Sequence, residues 1–301
     1  MSISFSSSSR RHFLGQVGAL SALAILPTGL ASAKSVKTFG VQLYTLRDVI
    51  EKDLTGTLGK LSKLGYTELE GYSTEKGIFY GKSAKEFRQI CADNGLKLMS
   101  HHVSGGWDEQ RAGNTTKLTM LNKWDELCGT VVEAGGSYIV VPYIPSKDRA
   151  DLESYQRIAD QLNVAGEVAN KAGLKLCYHN HDFELRAIEG EVPYDVLLRN
   201  TESNLVNFEM DLFWVVKAEQ DPVSYFKKYP GRFPLWHVKD LGAESKDTTE
   251  VGSGTIDFKA IFQMAKTAGM EHHFVEQDRC PGETIVSVGK SIQYLRDKFS
   301  Y

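Results

Sequence analysis

One local pattern recurs along the chain: a helical stretch ends in glycine, and a short apolar strand follows at once. It occurs in six segments: KLGYTELEGY, DNGLKLMSHH, EAGGSYIVVPY, KAGLKLCYHNH, YPGRFPLWHVKD and TAGMEHHFVEQD. Glycine after a helix adopts the left-handed conformation that ends it, so each segment marks a border between helix and strand. Two further strand candidates, VKTFGVQLY and NLVNFEMDLFW, bring the total to eight.

The strand candidates are mostly apolar rather than alternating, which is typical of strands that are covered on both faces. Amphipathic helical stretches lie between them, such as DLTGTLGKLSKL and DLESYQRIADQLNVAGEVANKAG. Eight strand-and-helix units in about 250 residues predict an α/β fold, a parallel (β/α)8 TIM barrel. The alternative is a doubly wound open sheet, but the first strand lacks the G-x-G-x-x-G turn of a dinucleotide-binding fold.

The N-terminal segment, residues 1–33, has the features of an export signal. A polar start precedes the pair Arg10-Arg11, an apolar run over residues 13–26, and a small-x-small sequence that ends at Ala33. The phrase SRRHFL resembles the bacterial twin-arginine signal. The alternatives are a Sec-type signal and a membrane anchor, although the apolar run is shorter than the roughly 20 residues of a spanning helix. We expect cleavage after Ala33, a periplasmic or exported protein without stable membrane insertion, and one catalytic domain over residues 34–301.

The balance of charge and the cysteines exclude several classes of function. The formal net charge is −3, with no long run of one sign, which argues against a nucleic acid or an anionic membrane as partner. The four cysteines form no C-x-x-C pair, so neither a redox motif nor a cysteine-based zinc site is indicated. We expect buried free thiols rather than disulfides, because cysteine behaves as a small hydrophobic residue.

Metal-binding and proton-transferring side chains collect where the predicted strands end. The third predicted strand ends in His101-His102, and the fifth ends in His179 and His181. The sixth ends in Asp211, the seventh in His237 and Lys239, and the eighth in Glu276. The carboxyl ends of barrel strands share one rim, where active sites form. Alternation along the fifth strand places His179 and His181 on the interior face. His272 and His273 begin the last strand and so lie at the opposite end.

Each of these residues also has an ordinary structural explanation; Asp211, for example, could cap the next helix. Strands five to eight nevertheless each deliver an imidazole or a carboxylate to one rim. Mixed nitrogen and oxygen donors of this kind suit a divalent metal ion, and they fit Mn, Zn, Co or Fe better than calcium.

The mature sequence resembles the xylose isomerase-like TIM barrel superfamily, in the branch of sugar phosphate isomerases/epimerases and family 2 AP endonucleases. The resemblance rests on GVQLYTLRD, YHNHDFE, MDLFWV, WHVKD, VGSGTIDFKAIF and FVEQD. It implies one divalent metal ion held by strands five to eight, and Asp211, His237 and Glu276 match that pattern directly. At the fifth strand the family's sugar epimerases have glutamate, whereas this chain has His179, with His181 two residues further on.

The resemblance implies proton abstraction beside a sugar carbonyl, in which Glu276 or His181 moves the proton and Lys239 donates to a substrate oxygen. Aromatic and imidazole side chains are expected to contact the sugar: His101, His102, Tyr143 and Trp214. One of the two neighbouring histidines, His101 or His102, could equally be structural. Because phosphorylated sugars are mostly cytoplasmic, the export signal favours a non-phosphorylated sugar or keto-sugar as substrate.

The leading hypothesis is therefore a metal-dependent sugar isomerase or epimerase. The missing fifth-strand glutamate keeps a second hypothesis open, a keto-sugar lyase or hydratase, because related family members dehydrate keto-inositols. A third is a non-catalytic sugar-binding protein. A DNA-repair endonuclease is disfavoured, because the chain is not basic and lacks the further ligands of a three-zinc cluster. Whether the protein forms a homo-oligomer is left open.

Overall fold

The computed structural model describes residues 38–299, and within them eight parallel strands close into a barrel. The strands are β1 (Gly40–Gln42), β2 (Glu68–Tyr72), β3 (Lys97–His102), β4 (Tyr138–Val141), β5 (Lys175–His179), β6 (Val206–Asp211), β7 (Leu235–Val238) and β8 (His272–Val275). Neighbours in the barrel are neighbours in the chain, and β8 closes onto β1. The predicted (β/α)8 barrel is confirmed, whereas the signal segment lies outside the described residues.

Helices surround the barrel. They are α1 (Leu54–Leu64), α2 (Ala84–Asp93), α3 (Trp107–Arg111), α4 (Trp124–Glu133), α5 (Leu152–Lys171), α6 (Pro193–Asn200), α7 (Leu212–Lys217), α8 (Pro222–Lys228), α9 (Phe258–Phe262), α10 (Ala265–Ala268) and α11 (Thr284–Phe299). After β7, Asp240–Leu241 pairs with Thr248–Thr249 as a short antiparallel hairpin. Among the described residues, no helix is both long enough and apolar enough to span a membrane.

The local signals in the sequence act at the predicted helix ends. Gly65 (φ 96°) and Gly269 (φ 78°) adopt the left-handed conformation directly after α1 and α10. At the start of α2, Ser83 and Glu86 form a reciprocal capping box that satisfies otherwise unpaired backbone N–H groups. These short-range interactions place the helix borders, and the apolar strands that follow complete the barrel.

A separate apolar cluster fills the part of the barrel interior that is nearer the amino ends of the strands. It consists of Met99, Tyr138, Val140, Cys177, Leu235 and Phe274. On β5, Leu176 and Tyr178 flank Cys177 in the sequence, and both pack into the larger core outside the barrel. The predicted alternation on β5 is therefore confirmed, and the next inward positions toward the carboxyl ends carry polar side chains. All four cysteines are free thiols, as expected. Cys91, Cys128 and Cys177 are buried, whereas Cys280 is only half-buried.

Candidate active site

Polar side chains replace the apolar cluster toward the carboxyl ends of the strands. Strand register sets His179 beside Glu209 and Asp211 beside His237, so two levels of acidic residues face the interior. We call Asp211 and Glu276 the rim carboxylates. We call Glu70 and Glu209, one level deeper, the inner carboxylates. Both pairs are buried, and His237 is fully buried between them.

Lys239 and His237 hold the rim carboxylates together. The Lys239 Nζ atom lies 2.9 Å from Asp211 Oδ2, 2.6 Å from Glu276 Oε2 and 3.0 Å from Asp278 Oδ2. His237 Nδ1 lies 2.6 Å from the same Glu276 oxygen. Although burial opposes it, the charges of Lys239 and His237 hold the pKa of Glu276 well below its usual range, so this carboxylate is ionised.

Asp211 has a structural and a site-facing role at once. Its Oδ1 atom accepts a hydrogen bond from the Trp214 backbone N–H at 3.1 Å and so caps α7. Its Oδ2 atom faces Lys239 and the imidazoles. The Asp211 backbone N–H donates to Asn180 Oδ1 at 3.0 Å, which ties this strand end to the β5 loop. The cap therefore aims the second oxygen into the site.

The inner carboxylates are not predicted by the sequence pattern. Glu209 Oε2 lies 2.7 Å from His102 Nε2, 3.0 Å from His179 Nδ1 and 3.2 Å from His237 Nε2. Glu70 Oε1 accepts a hydrogen bond from Gln42 Nε2 at 2.9 Å and also contacts His237 Nε2. One signal could have found Glu209, because it lies two residues before Asp211 and so shares its face of β6.

Acidic groups outnumber cationic ones in this interior. The buried carboxyl groups are Glu70, Glu209, Asp211 and Glu276, and the partly exposed Asp278 side chain contacts Lys239. The nearby cations are Lys239 and His237. Although burial lowers the pKa of His237, the negative charges of Glu209, Glu276 and Glu70 raise it overall to about 10. Burial and the negative charge of Glu70 raise the pKa of Glu209. An excess of buried carboxyl groups is costly unless protons or a cation compensate it.

The donor set fits a divalent cation. Donor atoms of Asp211, His237 and Glu276 all lie within 4.8 Å of one another, as do those of His102, His179, Glu209 and His237. Glu70 Oε2 and Glu209 Oε1 are buried without a hydrogen-bond partner. Imidazole nitrogens together with carboxylate oxygens suit zinc, manganese, iron or cobalt. The residues present therefore agree with the divalent metal expected from the sequence.

The two histidines at the end of β5 differ in their surroundings. His179 is 2% exposed, and its Nε2 atom lies 3.6 Å from Asp211 Oδ2, so it belongs to the buried donor set. His181 lines the open cavity, and its ring stacks on Phe183. Its buried Nδ1 atom has no hydrogen-bond partner, and burial together with Lys239 lowers its pKa to about 3. The His181 imidazole is therefore neutral at neutral pH.

Glu184 fixes the loop that carries His181. Its Oε2 atom accepts a hydrogen bond from the His181 backbone N–H at 2.9 Å, and its Oε1 atom accepts one from the Tyr178 hydroxyl. The Glu184 side chain is fully buried, and burial raises its pKa to about 7. Through these two hydrogen bonds Glu184 holds the loop after β5.

A cavity of about 360 Å³ opens above the rim. Most of the residues predicted from the sequence line it: His102, Tyr143, His179, His181, Lys239 and Glu276. Trp214 lies behind this surface, with Lys239 Nζ 5.9 Å from its ring. Tyr44 and Tyr72 also line the cavity but were not predicted, because β1, which Tyr44 follows, and β2, which Tyr72 ends, carry no histidine at their ends.

The adjacent histidines of β3 face opposite sides of the barrel wall. Leu69 pairs with Leu98, but Glu70 pairs with Ser100, so Met99 is an extra residue in β3. This bulge shifts the alternation by one residue. His102 therefore faces the interior, while His101 is buried outside the cavity lining, with its ring 5.0 Å from that of Phe79. The expected sugar contact by His101 is not supported by this position.

Comparisons with known proteins agree with the barrel fold. The family described as "Xylose isomerase-like TIM barrel" matches residues 58–298. The chain belongs to this family. It is 27% identical over 255 residues to the inosose dehydratase of Clostridium botulinum (strain Alaska E43 / Type E3), an alignment that covers 75% of this chain and 85% of that protein.

Solved structures of the family superpose closely. A sugar phosphate isomerase/epimerase from Parabacteroides distasonis ATCC 8503 is 30% identical, with a TM-score of 0.76, over 90% of this chain and 97% of that one. The IolI protein with a bound zinc atom is 16% identical, with a TM-score of 0.69, over 87% of this chain and 97% of that one. The similarity to the IolI protein supports the fold alone. The similarity to the Parabacteroides distasonis protein includes 30% sequence identity as well as the fold.

Proposed function

We propose that the protein is a divalent-metal-dependent lyase that removes water from a non-phosphorylated keto-sugar or keto-polyol. The observation that carries this choice is the residue at the end of β5. The epimerases that the sequence resembles exchange protons through two glutamates, one from strand five and one from strand eight. Here strand five supplies His179, which is buried and engaged with Glu209, so that symmetrical pair is absent from the rim.

The named relatives support the same choice. The matched protein of Clostridium botulinum is a dehydratase, and so are further relatives from Clostridium and Lacticaseibacillus. A dehydratase forms a carbon–carbon double bond as a hydroxyl group leaves as water. Such an elimination needs proton transfer at the carbon beside the carbonyl and at the leaving oxygen, but no inversion of configuration. One-sided proton chemistry of that kind suits a rim that lacks the strand-five glutamate.

Four residues would hold the metal ion: His179, Asp211, His237 and Glu276. A bound divalent ion would polarise the substrate carbonyl and stabilise the negative charge that develops when the neighbouring C–H proton is lost. On the side of this set that faces the amino ends of the strands, the inner carboxylates and the apolar cluster are buried, so water has no access from that side.

Two side chains are placed to move protons. The His181 imidazole lines the cavity and would accept the proton from carbon. Lys239 is held as an ammonium group by Asp211, Glu276 and Asp278, and it would donate to the leaving hydroxyl oxygen. Glu276 is less suited to accept a proton, because Lys239 and His237 already stabilise its ionised form.

An isomerase or epimerase is the second candidate. The 30% identical protein from Parabacteroides distasonis bears that name, and the first step, proton loss beside a carbonyl, is common to both reactions. A non-catalytic sugar-binding protein would hold its ligand without requiring the metal set.

Proton NMR in deuterated water separates these functions. Metal-loaded protein is incubated with an inosose and with other keto-sugars, and Glu276→Gln serves as the inactive control. Loss of water from the substrate supports the lyase. Deuterium at a carbon whose configuration inverts supports an epimerase, and turnover of no keto-sugar together with metal-independent binding supports a binding protein.

We also propose that residues 1–33 direct export of the folded protein through the twin-arginine route. The support is the sequence SRRHFL and the small-x-small motif at Ala33. Replacing Arg10 and Arg11 by lysine should retain the uncleaved protein in the cytoplasm of a bacterial host. Unchanged cleavage and export of that variant would favour a Sec-type signal.

A further inference from the structure

His179 and His237 each bridge the two levels of carboxylates. His237 directs Nδ1 to the rim, 2.6 Å from Glu276 Oε2, and Nε2 to the inner carboxylates. His179 directs Nε2 toward Asp211 at the rim and Nδ1 to Glu209, 3.0 Å away. The two imidazoles thus reach the rim through different ring atoms, while their remaining nitrogens converge on the same buried acidic pair.

We propose that Glu209 and Glu70 are positioning residues that fix the tautomers of both imidazoles. Glu209 accepts from His179, and Glu70 accepts from His237, whose Nε2 atom also lies 3.2 Å from Glu209, so that His179 presents Nε2 and His237 presents Nδ1 to the metal. The inference rests on the proposed metal site. A neutral imidazole carries one N–H group and one free lone pair, and only the lone pair can bind a metal. A carboxylate that accepts the N–H from one side leaves the other nitrogen free to coordinate.

The surroundings of the inner carboxylates favour this orientation. Glu70 and Glu209 are fully buried, so water cannot take over as the acceptor for the imidazole N–H groups. Gln42 Nε2 donates to Glu70 and holds it in place. His102 Nε2 lies 2.7 Å from Glu209 and 3.2 Å from Glu70, which links the pair from a third strand. The acceptors are thereby fixed before any metal binds.

A purely space-filling role does not explain these residues. One level deeper, the same inward direction is occupied by apolar side chains such as Cys177 and Leu235. Buried carboxyl groups contribute less to stability than apolar groups of similar volume and are costly when incompletely paired. Retaining two of them directly behind the imidazoles agrees with an orienting role.

The test compares Glu209→Gln with Glu68→Gln. The control makes the same chemical change in a carboxylate that also contacts a histidine, His272 Nδ1 at 2.9 Å, but at the amino end of the barrel. Affinity for Zn²⁺ is measured by competition with a chromophoric chelator, and thermal unfolding of the metal-free proteins checks that they fold. We expect Glu209→Gln to weaken Zn²⁺ binding about 10- to 100-fold, and Glu68→Gln to change it less than about twofold.

The outcomes separate the inference from the proposed function. If the wild-type protein binds no divalent metal, the proposed metal site fails and this inference fails with it. If the wild-type protein binds Zn²⁺ and Glu209→Gln binds it equally well, the positioning role alone is overturned.

A second measurement does not depend on any variant. Nitrogen-15 NMR of labelled histidines in the Zn²⁺-loaded wild-type protein reports which ring atoms carry protons. We expect protons on Nδ1 of His179 and Nε2 of His237. The opposite tautomer at either residue would overturn the inference even if Glu209→Gln failed to fold.

Discussion

The two ends of the barrel contain the same kinds of side chain in different surroundings. At the amino end, Lys175 Nζ lies 2.6 Å from Glu271 Oε1, and both side chains are 48% exposed. At the carboxyl end, Lys239 makes ion pairs with Asp211 and Glu276 at similar distances, but its side chain is only 2% exposed. Histidine–carboxylate contacts also occur at both ends.

The difference is therefore one of burial and charge balance rather than of residue type. Water screens the amino-end pair, where Glu271 also accepts a hydrogen bond from the Tyr138 hydroxyl at 2.6 Å. At the carboxyl end, several carboxyl groups share few cations in a dry interior. An ion pair that water screens contributes only modestly to stability. A buried cluster with more carboxyl groups than cations is suited to bind a metal cation, and its groups have shifted pKa values.

The largest expected effect follows from Glu276→Gln at the carboxyl end. Because this change removes a rim ligand and a partner of Lys239, we expect kcat/KM to fall at least about 1,000-fold. Glu271→Gln at the amino end should change kcat/KM less than about twofold. Steady-state kinetics on the keto-sugar identified by NMR measure both, and equal losses in the two variants would remove the distinction between the ends.

His181→Ala should affect catalysis without affecting the metal. Loss of a positioned base lowers kcat by about 100- to 10,000-fold, while Zn²⁺ affinity should stay within about threefold, because His181 lies outside the buried donor set. His272→Ala, at the amino end, is the matched control. A large loss of Zn²⁺ affinity in His181→Ala would instead assign this residue, rather than His179, to the metal.

Glu184 links burial at the carboxyl end to pH. Burial raises its pKa to about 7 in the folded protein, so folding favours the protonated form relative to the unfolded chain. Its contribution to stability is present below the unfolded pKa of about 4.3 and is lost as the pH rises through about 7, an effect on the order of 3 kcal/mol. Urea unfolding of the wild-type protein and of Glu184→Gln, repeated at intervals of about one pH unit between about pH 4 and 8, measures this change in the free energy of unfolding. Parallel pH profiles would contradict this assignment.

The smallest effect is expected from the exposed pair at the amino end. Lys175→Met should lower the free energy of unfolding by no more than about 1 kcal/mol, because the ion pair with Glu271 is half exposed. Urea unfolding at low and high salt tests this. A loss of several kcal/mol would show that the amino end resembles the carboxyl end more closely than its exposure indicates.

Much of the fold follows from short-range signals in the sequence. Gly65 and Gly269 end helices for local reasons, and the apolar runs behind such glycines are the strands of the barrel. The rim positions of Asp211 and His237 follow from the general rule that barrel strands carry functional groups at their carboxyl ends.

The remaining features depend on interactions between strands. Glu70 and Glu209 lie within strands, where the pattern of one segment does not show which carboxylates meet across the barrel. The choice between His101 and His102 depends on the bulge at Met99, which is visible only in the pairing of β2 with β3. The residues behind the metal set were therefore harder to predict than the set itself.

Anomalous diffraction from crystals soaked in Mn²⁺ tests the central claim most directly. The claim is that the acidic carboxyl end of the barrel, and not its amino end, binds a divalent metal. We predict one strong peak within bonding distance of Asp211, His237 and Glu276. A peak beside Glu68 and His272, or no peak at the rim at saturating Mn²⁺, would contradict the account.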